Sequence, residues 1–141
     1  MRVRQFSMND YPAVRALWEE SGLEIRPGDS EIEVKMKIER DPDLFIVAEE
    51  NGKIVGTVMG AWDGRRGWIY HLGVLPAFQR KGVASAMVEE VERRMTKKGV
   101  LKVNAIVYRT NHKSLAFFRK AGYVIDDRSL IHGKILAHSR S

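Results

Sequence analysis

The sequence has no cysteine among its 141 residues. A chain without cysteine forms no disulfide, binds no metal through a thiolate and uses no cysteine nucleophile, so its fold must rest on its own core. No two of its histidines have the i, i+4 spacing of a helical zinc site, and we predict no bound metal. The four histidines are His71, His112, His132 and His138.

Long hydrophobic runs are also missing. No apolar stretch approaches the roughly 20 residues that cross a bilayer, and residues 1–12 lack the apolar stretch of a signal peptide. We therefore expect a cytoplasmic protein with no membrane partner. Internal repeats and long Pro/Gly/Ser linkers are absent as well, so we predict a single domain over residues 1–141.

The composition is that of an ordinary globular protein, with 44% hydrophobic and 30% charged residues, which excludes an intrinsically disordered chain. Charge is unevenly distributed. Residues 1–50 carry 7 basic and 12 acidic side chains, a net of −5, whereas residues 51–141 carry 17 and 6, a net of +11. A basic half suits a phosphorylated ligand or nucleic acid, and an acidic half attracts cations. Solvated faces without a ligand are the alternative.

The hydrophobic pattern alternates between the period of a strand and that of a helix. Strands are predicted over residues 2–6, 44–49, 54–62, 68–74, 103–107, 123–125 and 130–136. Helices are predicted from about residue 12 to Gly22, from Ser30 to before Asp41, from about Ala84 to Gly99 and over residues 113–121. This order predicts the α/β or α+β class, with a mixed, mostly antiparallel sheet of about six or seven strands and about four helices.

A loop between the strand at 68–74 and the next helix carries the clearest chemical signal. The start of a helix presents free backbone N–H groups and the positive end of the helix dipole, which together bind anions. Gly82 and Ala84 are small enough for a close approach, and Ser85 adds a hydroxyl donor. The loop has neither the P-loop pattern nor the dinucleotide-binding pattern. It predicts a pyrophosphate site, with an ordinary strand-to-helix turn as the alternative.

Two motifs resemble those of the GNAT family of acyl-CoA N-acyltransferases. The first reads Leu72-Gly73-Val74-Leu75-Pro76, followed by Gln79, Gly82 and Ala84. The second reads Asn111, Ser114, Phe117-Phe118 and Ala121-Gly122-Tyr123. The predicted order of strands and helices also resembles the family over nearly the whole chain, and the N-terminal half is similar to the YpeA-type subgroup of bacterial and archaeal acetyltransferases.

The resemblance implies a GNAT fold with acetyl-CoA as co-substrate. In that fold the sheet splays between its fourth strand, here ending at Val74, and its fifth, here residues 103–108, and the acyl-pantetheine arm lies in the opening. The N–H of Val74 would polarise the thioester carbonyl and stabilise the oxyanion. The residues that the resemblance assigns to coenzyme A are Leu72, Val74, Gln79, Arg80, Lys81, Gly82, Val83, Ala84, Ser85, Asn111, Ser114 and Phe118.

The catalytic acid and base are less determined. Phe118 stands where the family commonly has a tyrosine that protonates the departing CoA thiolate, so Tyr108 or water would have to supply that proton. For the general base we consider His71, because histidine is the side-chain type that titrates near neutrality, Tyr70, or a water relay. Strand alternation places Tyr70 and His71 on opposite faces, although a bulge near Gly73 would change which one faces the cleft.

The function implied by the resemblance is transfer of an acetyl group from acetyl-CoA to a primary amine of a small molecule or protein, by direct attack. Acidic residues that would attract an amine are Glu20, Glu24, Asp29 and Glu31, whereas Arg26, Arg65 and Arg66 would suit an acceptor carboxylate. A non-catalytic CoA-binding sensor is the alternative function. No nucleic-acid motif is present, so we predict no nucleic-acid partner. A homodimer is a further expectation.

Overall fold

The computed structural model describes residues 1–140, which form a sheet with helices on both faces. The strands are β1 (Arg2–Gln5), β2 (Phe45–Glu50), β3 (Lys53–Trp62), β4 (Gly67–Val74) and β5 (Val103–Ala105). The helices are α1 (Tyr11–Glu20), α2 (Glu31–Arg40), α3 (Val83–Lys97) and α4 (His112–Lys120). Short 3-10 turns at Met8–Asp10 and Pro76–Phe78 precede α1 and follow β4.

Helix ends follow the capping signals of the sequence. Ser30 is the N-cap of α2 and accepts a hydrogen bond from the backbone N–H of Glu33 at 3.3 Å, while the Glu33 carboxylate accepts from the Ser30 backbone. This reciprocal pair satisfies two donors that a helix start leaves free. Pro12 lies in the first turn of α1, and Gly99, with φ +88°, follows α3. The four predicted helices are therefore confirmed, with ends shifted by one or two residues.

The sheet has the order β1-β2-β3-β4-β5, in which β4 and β5 are parallel and the other neighbours antiparallel. The predicted hairpin at Asn51-Gly52 joins β2 to β3, and both residues have positive φ, as the tight turns that match strand twist require. The mixed, mostly antiparallel α/β architecture predicted from the sequence is confirmed.

Two predicted strands are wrong. Residues 123–125 and 130–136 form no strand, so the sheet has five strands within residues 1–140 instead of six or seven. Leu130 is 70% and Leu136 89% exposed. The alternating pattern favours a strand only where a neighbouring strand and a packed face are available, and the segment pairs with neither edge of the sheet.

The core lies between the sheet and its two helical layers. Helix α3 buries Met87, Val91 and Met95 against one face of the sheet. Helix α1 buries Val14, Leu17 and Trp18 on the other face. The layers fix the positions of the β4 end, the start of α3 and the α1–α2 loop. No helix in the part of the chain that the structure describes is long and apolar enough to cross a membrane.

Candidate active site

The sheet opens where β4 leaves β5. The two strands pair from Gly67 and Val103 as far as Ile69 and Ala105, and the Ile106 N–H still donates to the Ile69 carbonyl at 2.9 Å. Beyond this point the described residues form no further backbone hydrogen bond between the strands. The splay between the fourth and fifth strands that the resemblance implied is therefore present.

The backbone of Val74 faces this opening. Leu75 donates its N–H to the Val55 carbonyl at 2.9 Å, which makes Leu75 and Val55 a hydrogen-bonded pair of the antiparallel ladder. The next pair, Val74 and Gly56, is then a non-hydrogen-bonded pair, whose N–H and C=O groups face away from each other. The N–H of Val74 thus faces away from β3 and toward the gap left by β5.

A β-bulge interrupts β4 just before Val74. The register with β3 shifts by one residue, so that His71 and Leu72 both lie opposite Val58. His71 has φ +53°, in the left-handed region that non-glycine residues adopt at a cost of about 1–3 kcal/mol. The rings of Tyr70 and His71 have centroids 5.6 Å apart. Both side chains therefore lie on the α1–α2 face, whereas regular alternation would place them on opposite faces.

His71 is held by a buried carboxylate. Its Nε2 lies 2.9 Å and 3.0 Å from the two carboxylate oxygens of Asp29, in the loop between α1 and α2. Asp29 is only 5% exposed. Its carboxylate also accepts from the Arg26 N–H at 2.9 Å, and its carbonyl accepts from the Tyr11 hydroxyl at 2.7 Å. The Trp18 ring packs edge-on against His71 at 5.2 Å.

Tyr70 is a poor base at neutral pH. Burial, together with the negative charges of Asp41 and Asp29, raises the pKa of its phenol to about 12. The Lys37 ammonium lies 5.9 Å from the centre of its ring. The phenol therefore stays protonated near neutrality, which favours His71 over Tyr70 as the general base.

Tyr108 lies on the β5 side of the opening and is bound by the same loop that holds Asp29. The Arg26 guanidinium donates to the Tyr108 hydroxyl, which in turn donates to a Glu24 carboxylate oxygen at 3.4 Å. Residues 21–30 thus contact β4 through Asp29 and the chain after β5 through Arg26. This loop bounds one side of the opening.

The predicted anion loop presents an unbroken row of free donors. Gln79 donates its N–H to Pro76, and Ala86 donates to Gly82, but the six N–H groups of residues 80–85 find no acceptor within residues 1–140. Arg80 and Gly82 have φ of +62° and +82°. Left-handed residues turn successive N–H groups toward one concave side, where an anion can accept several hydrogen bonds.

Gln79 connects this loop to β4 and to α4. Its Nε2 donates to the Val74 carbonyl at 3.1 Å, and its Oε1 accepts from the Lys113 ammonium at 3.2 Å. The Asn111 side chain accepts from the Ser114 N–H at 3.1 Å and so caps α4. The structure therefore brings the two sequence motifs together, at the mouth of the opening.

Phe118 is part of the core. It is 6% exposed, and its ring lies 5.0 Å from those of Phe117 and Tyr123. The Tyr123 hydroxyl donates to Glu92 at 2.6 Å, and its half-buried ring packs against the core. The predicted contact of Phe118 with coenzyme A gains no support from this burial.

Comparison with known proteins shows the family of this chain. The model of the acetyltransferase (GNAT) family matches residues 11–123. An acetyltransferase of Pectobacterium atrosepticum is 40% identical over 141 residues, which cover 99% of each chain. The chain belongs to the GNAT family.

Solved structures of GNAT-like acetyltransferases share the fold. Ard1 from Thermoplasma volcanium matches with a TM-score of 0.80 and 25% identity, over 89% of this chain and 83% of that one. The PaiA N-acetyltransferase from Thermoplasma acidophilum, in complex with coenzyme A, matches with a TM-score of 0.79 and 21% identity, over 89% and 91%. The YpeA-type subgroup stays a prediction.

One feature of this GNAT site was missed by sequence reasoning. Asp29 stood only among acidic residues that would attract an amine, yet it is buried and bonded to His71. The two residues are 42 positions apart and belong to different elements. No spacing rule links a loop residue to a strand residue at that distance, so the contact becomes visible only once α1 is packed on β4.

Proposed function

We propose that this GNAT-family protein transfers an acetyl group from acetyl-CoA to a primary amine of a small molecule or protein. The carrying observation is that the Val74 N–H faces the opening between β4 and β5, and that the loop which follows β4 carries the free N–H groups of residues 80–85. The thioester end of an acyl-CoA needs a hydrogen-bond donor to the oxyanion, and its nucleotide end needs a pyrophosphate site. This arrangement offers both.

The donor would bind along the loop and the opening. The pyrophosphate would accept hydrogen bonds from the N–H groups of residues 80–85, with Arg80, Lys81 and Lys113 supplying positive charge nearby. The backbone of Leu72 and Val74 would pair with the pantetheine arm. Coenzyme A in the solved PaiA structure supports this choice of donor.

The chemical step would be a direct displacement. The amine nitrogen attacks the thioester carbonyl carbon, a C–N bond forms, and the Val74 N–H stabilises the oxyanion. The amine proton goes to His71, the C–S bond breaks, and coenzyme A leaves as a thiolate. Water or the Tyr108 hydroxyl, which Arg26 holds beside the opening, would protonate that thiolate. No covalent enzyme intermediate is required.

Two measurements test this function. Calorimetric titration with acetyl-CoA at moderate salt should show micromolar binding with about one ligand per chain. A panel of small amines, amino acids and peptides should then be screened by release of free thiol. Because the protein has no cysteine, its own thiols give no background in this assay. Failure to bind acetyl-CoA would overturn the mechanism while leaving the fold intact.

A CoA-binding sensor is the second candidate, because Phe118 lacks the exchangeable proton of the family's tyrosine. Phe118→Tyr adds that proton to a ring that is only 6% exposed, so a rise in thiol release, by up to about 10²-fold, would show both that the opening is catalytic and that this ring reaches the departing thiolate. Phe117→Tyr serves as the matched neighbour control. Binding of acetyl-CoA without thiol release in any of these proteins would favour the sensor. A cytoplasmic location and a homodimer remain predictions from the sequence.

A further inference from the structure

We propose that Asp29 is a positioning residue that fixes the His71 imidazole with its proton on Nε2 and leaves Nδ1 to accept the proton of the attacking amine. This inference rests on the proposed function, because it assigns His71 the part of general base. It adds a residue on the α1–α2 loop to the machinery on β4 and gives that loop a chemical role.

The contact itself determines the tautomer. Both oxygens of the Asp29 carboxylate lie within 3.0 Å of His71 Nε2, and an ionised carboxylate can only accept hydrogen bonds. A neutral His71 in this contact must therefore carry its proton on Nε2, and its lone pair is on Nδ1.

Nδ1 remains available for a proton. It forms no hydrogen bond with any residue between 1 and 140. Within the same residues, Trp18 Nε1 is the one fully buried side-chain polar atom that lacks a partner. Nδ1 is therefore unpaired without being fully buried, and the His71 side chain keeps 18% of its surface exposed.

The Asp29 carboxylate is fixed before any substrate arrives. The Arg26 N–H donates to Oδ2 at 2.9 Å, the Tyr11 hydroxyl donates to the Asp29 carbonyl at 2.7 Å, and the Asp29 N–H donates to the Arg26 carbonyl at 3.1 Å. One of these contacts holds the carboxylate itself, and the other two, from α1 and the loop, hold the Asp29 backbone. Such support from neighbours is what keeps a reacting group in its productive geometry.

The backbone brings the pair to the opening. His71 occupies the left-handed position of the β4 bulge, two residues after the last β4–β5 contact at Ile69 and three before Val74. The charged or titratable groups around the pair are Arg26 from the loop, with Glu24 beside its guanidinium, Tyr11 from α1, and Tyr70 from β4, whose ring also faces Lys37 and Asp41 at the end of α2.

Kinetics test the proposal through a double-mutant cycle of Asp29→Asn and His71→Gln. An Asn can donate its amide N–H to Nε2 and stabilise the other tautomer, so Asp29→Asn should lower kcat by about 10- to 100-fold with little change in the KM for acetyl-CoA. It should also alter the low-pH limb of the kcat/KM profile. In the His71→Gln background the same substitution should have no further effect.

The control is Asp41→Asn, which removes another buried carboxylate from the same face, where Asp41 pairs with Lys37 at 2.8 Å. It should lower stability without altering the pH profile. Equal losses from Asp29→Asn in the presence and absence of His71 would overturn the proposal, because Asp29 would then act on the fold alone.

A second readout needs no acceptor. In an NMR experiment that correlates imidazole nitrogens with ring protons, His71→Gln identifies the His71 signals among the four histidines. At a pH where His71 is neutral, the wild type should show the Nε2–H form, and Asp29→Asn should shift the population toward Nδ1–H. A predominant Nδ1–H form in the wild type would overturn the proposal. Absence of acetyl transfer with the Nε2–H form present would instead contradict the proposed function.

Discussion

At the scale of single residues, Gly82 gives the anion loop its shape. Its φ of +82° is costly for any residue with a Cβ, although the space around it is open. Gly82→Ala should therefore lose about 1–2 kcal/mol of unfolding free energy and weaken acetyl-CoA binding, because strain at this position moves the N–H groups of residues 80–85. Urea unfolding and calorimetry measure the two effects.

Gly99→Ala is the matched control, because Gly99 follows the other end of α3, has φ +88° and is also surrounded by open space. It should lose similar stability and keep its affinity for acetyl-CoA. Equal affinities in the two variants would show that the loop conformation does not determine ligand binding.

The local geometry of individual residues was predictable where a local rule applies. The free N–H groups around Gly82 follow from the chemistry of a helix start, and the place of Val74 at the end of the splayed strand from the family motif, whereas their contacts with coenzyme A stay predictions. The sequence did not predict that Tyr70 and His71 lie on the same face, because one extra residue in β4 changes the alternation of its side chains. Asp29 did not follow either, because its partner belongs to a distant element.

At the scale of elements, glycines in the sheet set how closely α3 packs. A Cβ on Gly56 would lie 2.9 Å from Val83 Cγ1 and 2.8 Å from Met87 Cε. Val83 is the first residue of α3, so Gly56→Ala should displace the helix start. We expect a loss of about 1–3 kcal/mol in unfolding free energy together with weaker acetyl-CoA binding.

Gly60 and Gly133 serve to separate the effect on stability from the effect on acetyl-CoA binding. A Cβ on Gly60 would meet Val91 at 3.0 Å, in the middle of α3, so Gly60→Ala should lose stability with a smaller effect on binding. Gly133 has no neighbour within 4 Å of a Cβ, and Gly133→Ala should change neither. If Gly56→Ala and Gly60→Ala weaken binding equally, the position of the α3 start is not what couples the sheet to the loop.

Element boundaries were predictable where the chain itself ends an element. Ser30 and Gly99 carry their own capping chemistry, and Asn51-Gly52 forms its turn without help from distant residues. The expected strand at 130–136 depended on a partner strand, and the segment pairs with neither edge of the sheet. The alternating pattern alone therefore predicted more strands than the sheet contains.

At the scale of the whole molecule, we expect the uneven distribution of charge to attract acetyl-CoA. The basic part of the chain, residues 51–141 with a net charge of +11, contains both the anion loop and α4. Acetyl-CoA carries several negative charges on its phosphates, and exposed charges attract it over a distance that salt shortens. Raising NaCl from about 50 to 500 mM should therefore weaken acetyl-CoA binding by about 10-fold.

The positions of the basic residues predict which of them attract acetyl-CoA. Arg80 and Lys81 are exposed beside the free N–H groups, whereas Lys97 is exposed at the far end of α3. The double variant Arg80→Gln/Lys81→Gln should bind acetyl-CoA more weakly at low salt and depend less on NaCl, while Lys97→Gln should keep the wild-type salt dependence. Because Lys97→Gln removes one positive charge and the double variant two, a reduction of salt dependence in Lys97→Gln half as large as that in the double variant would assign the effect to net charge and remove Arg80 and Lys81 from the phosphate site.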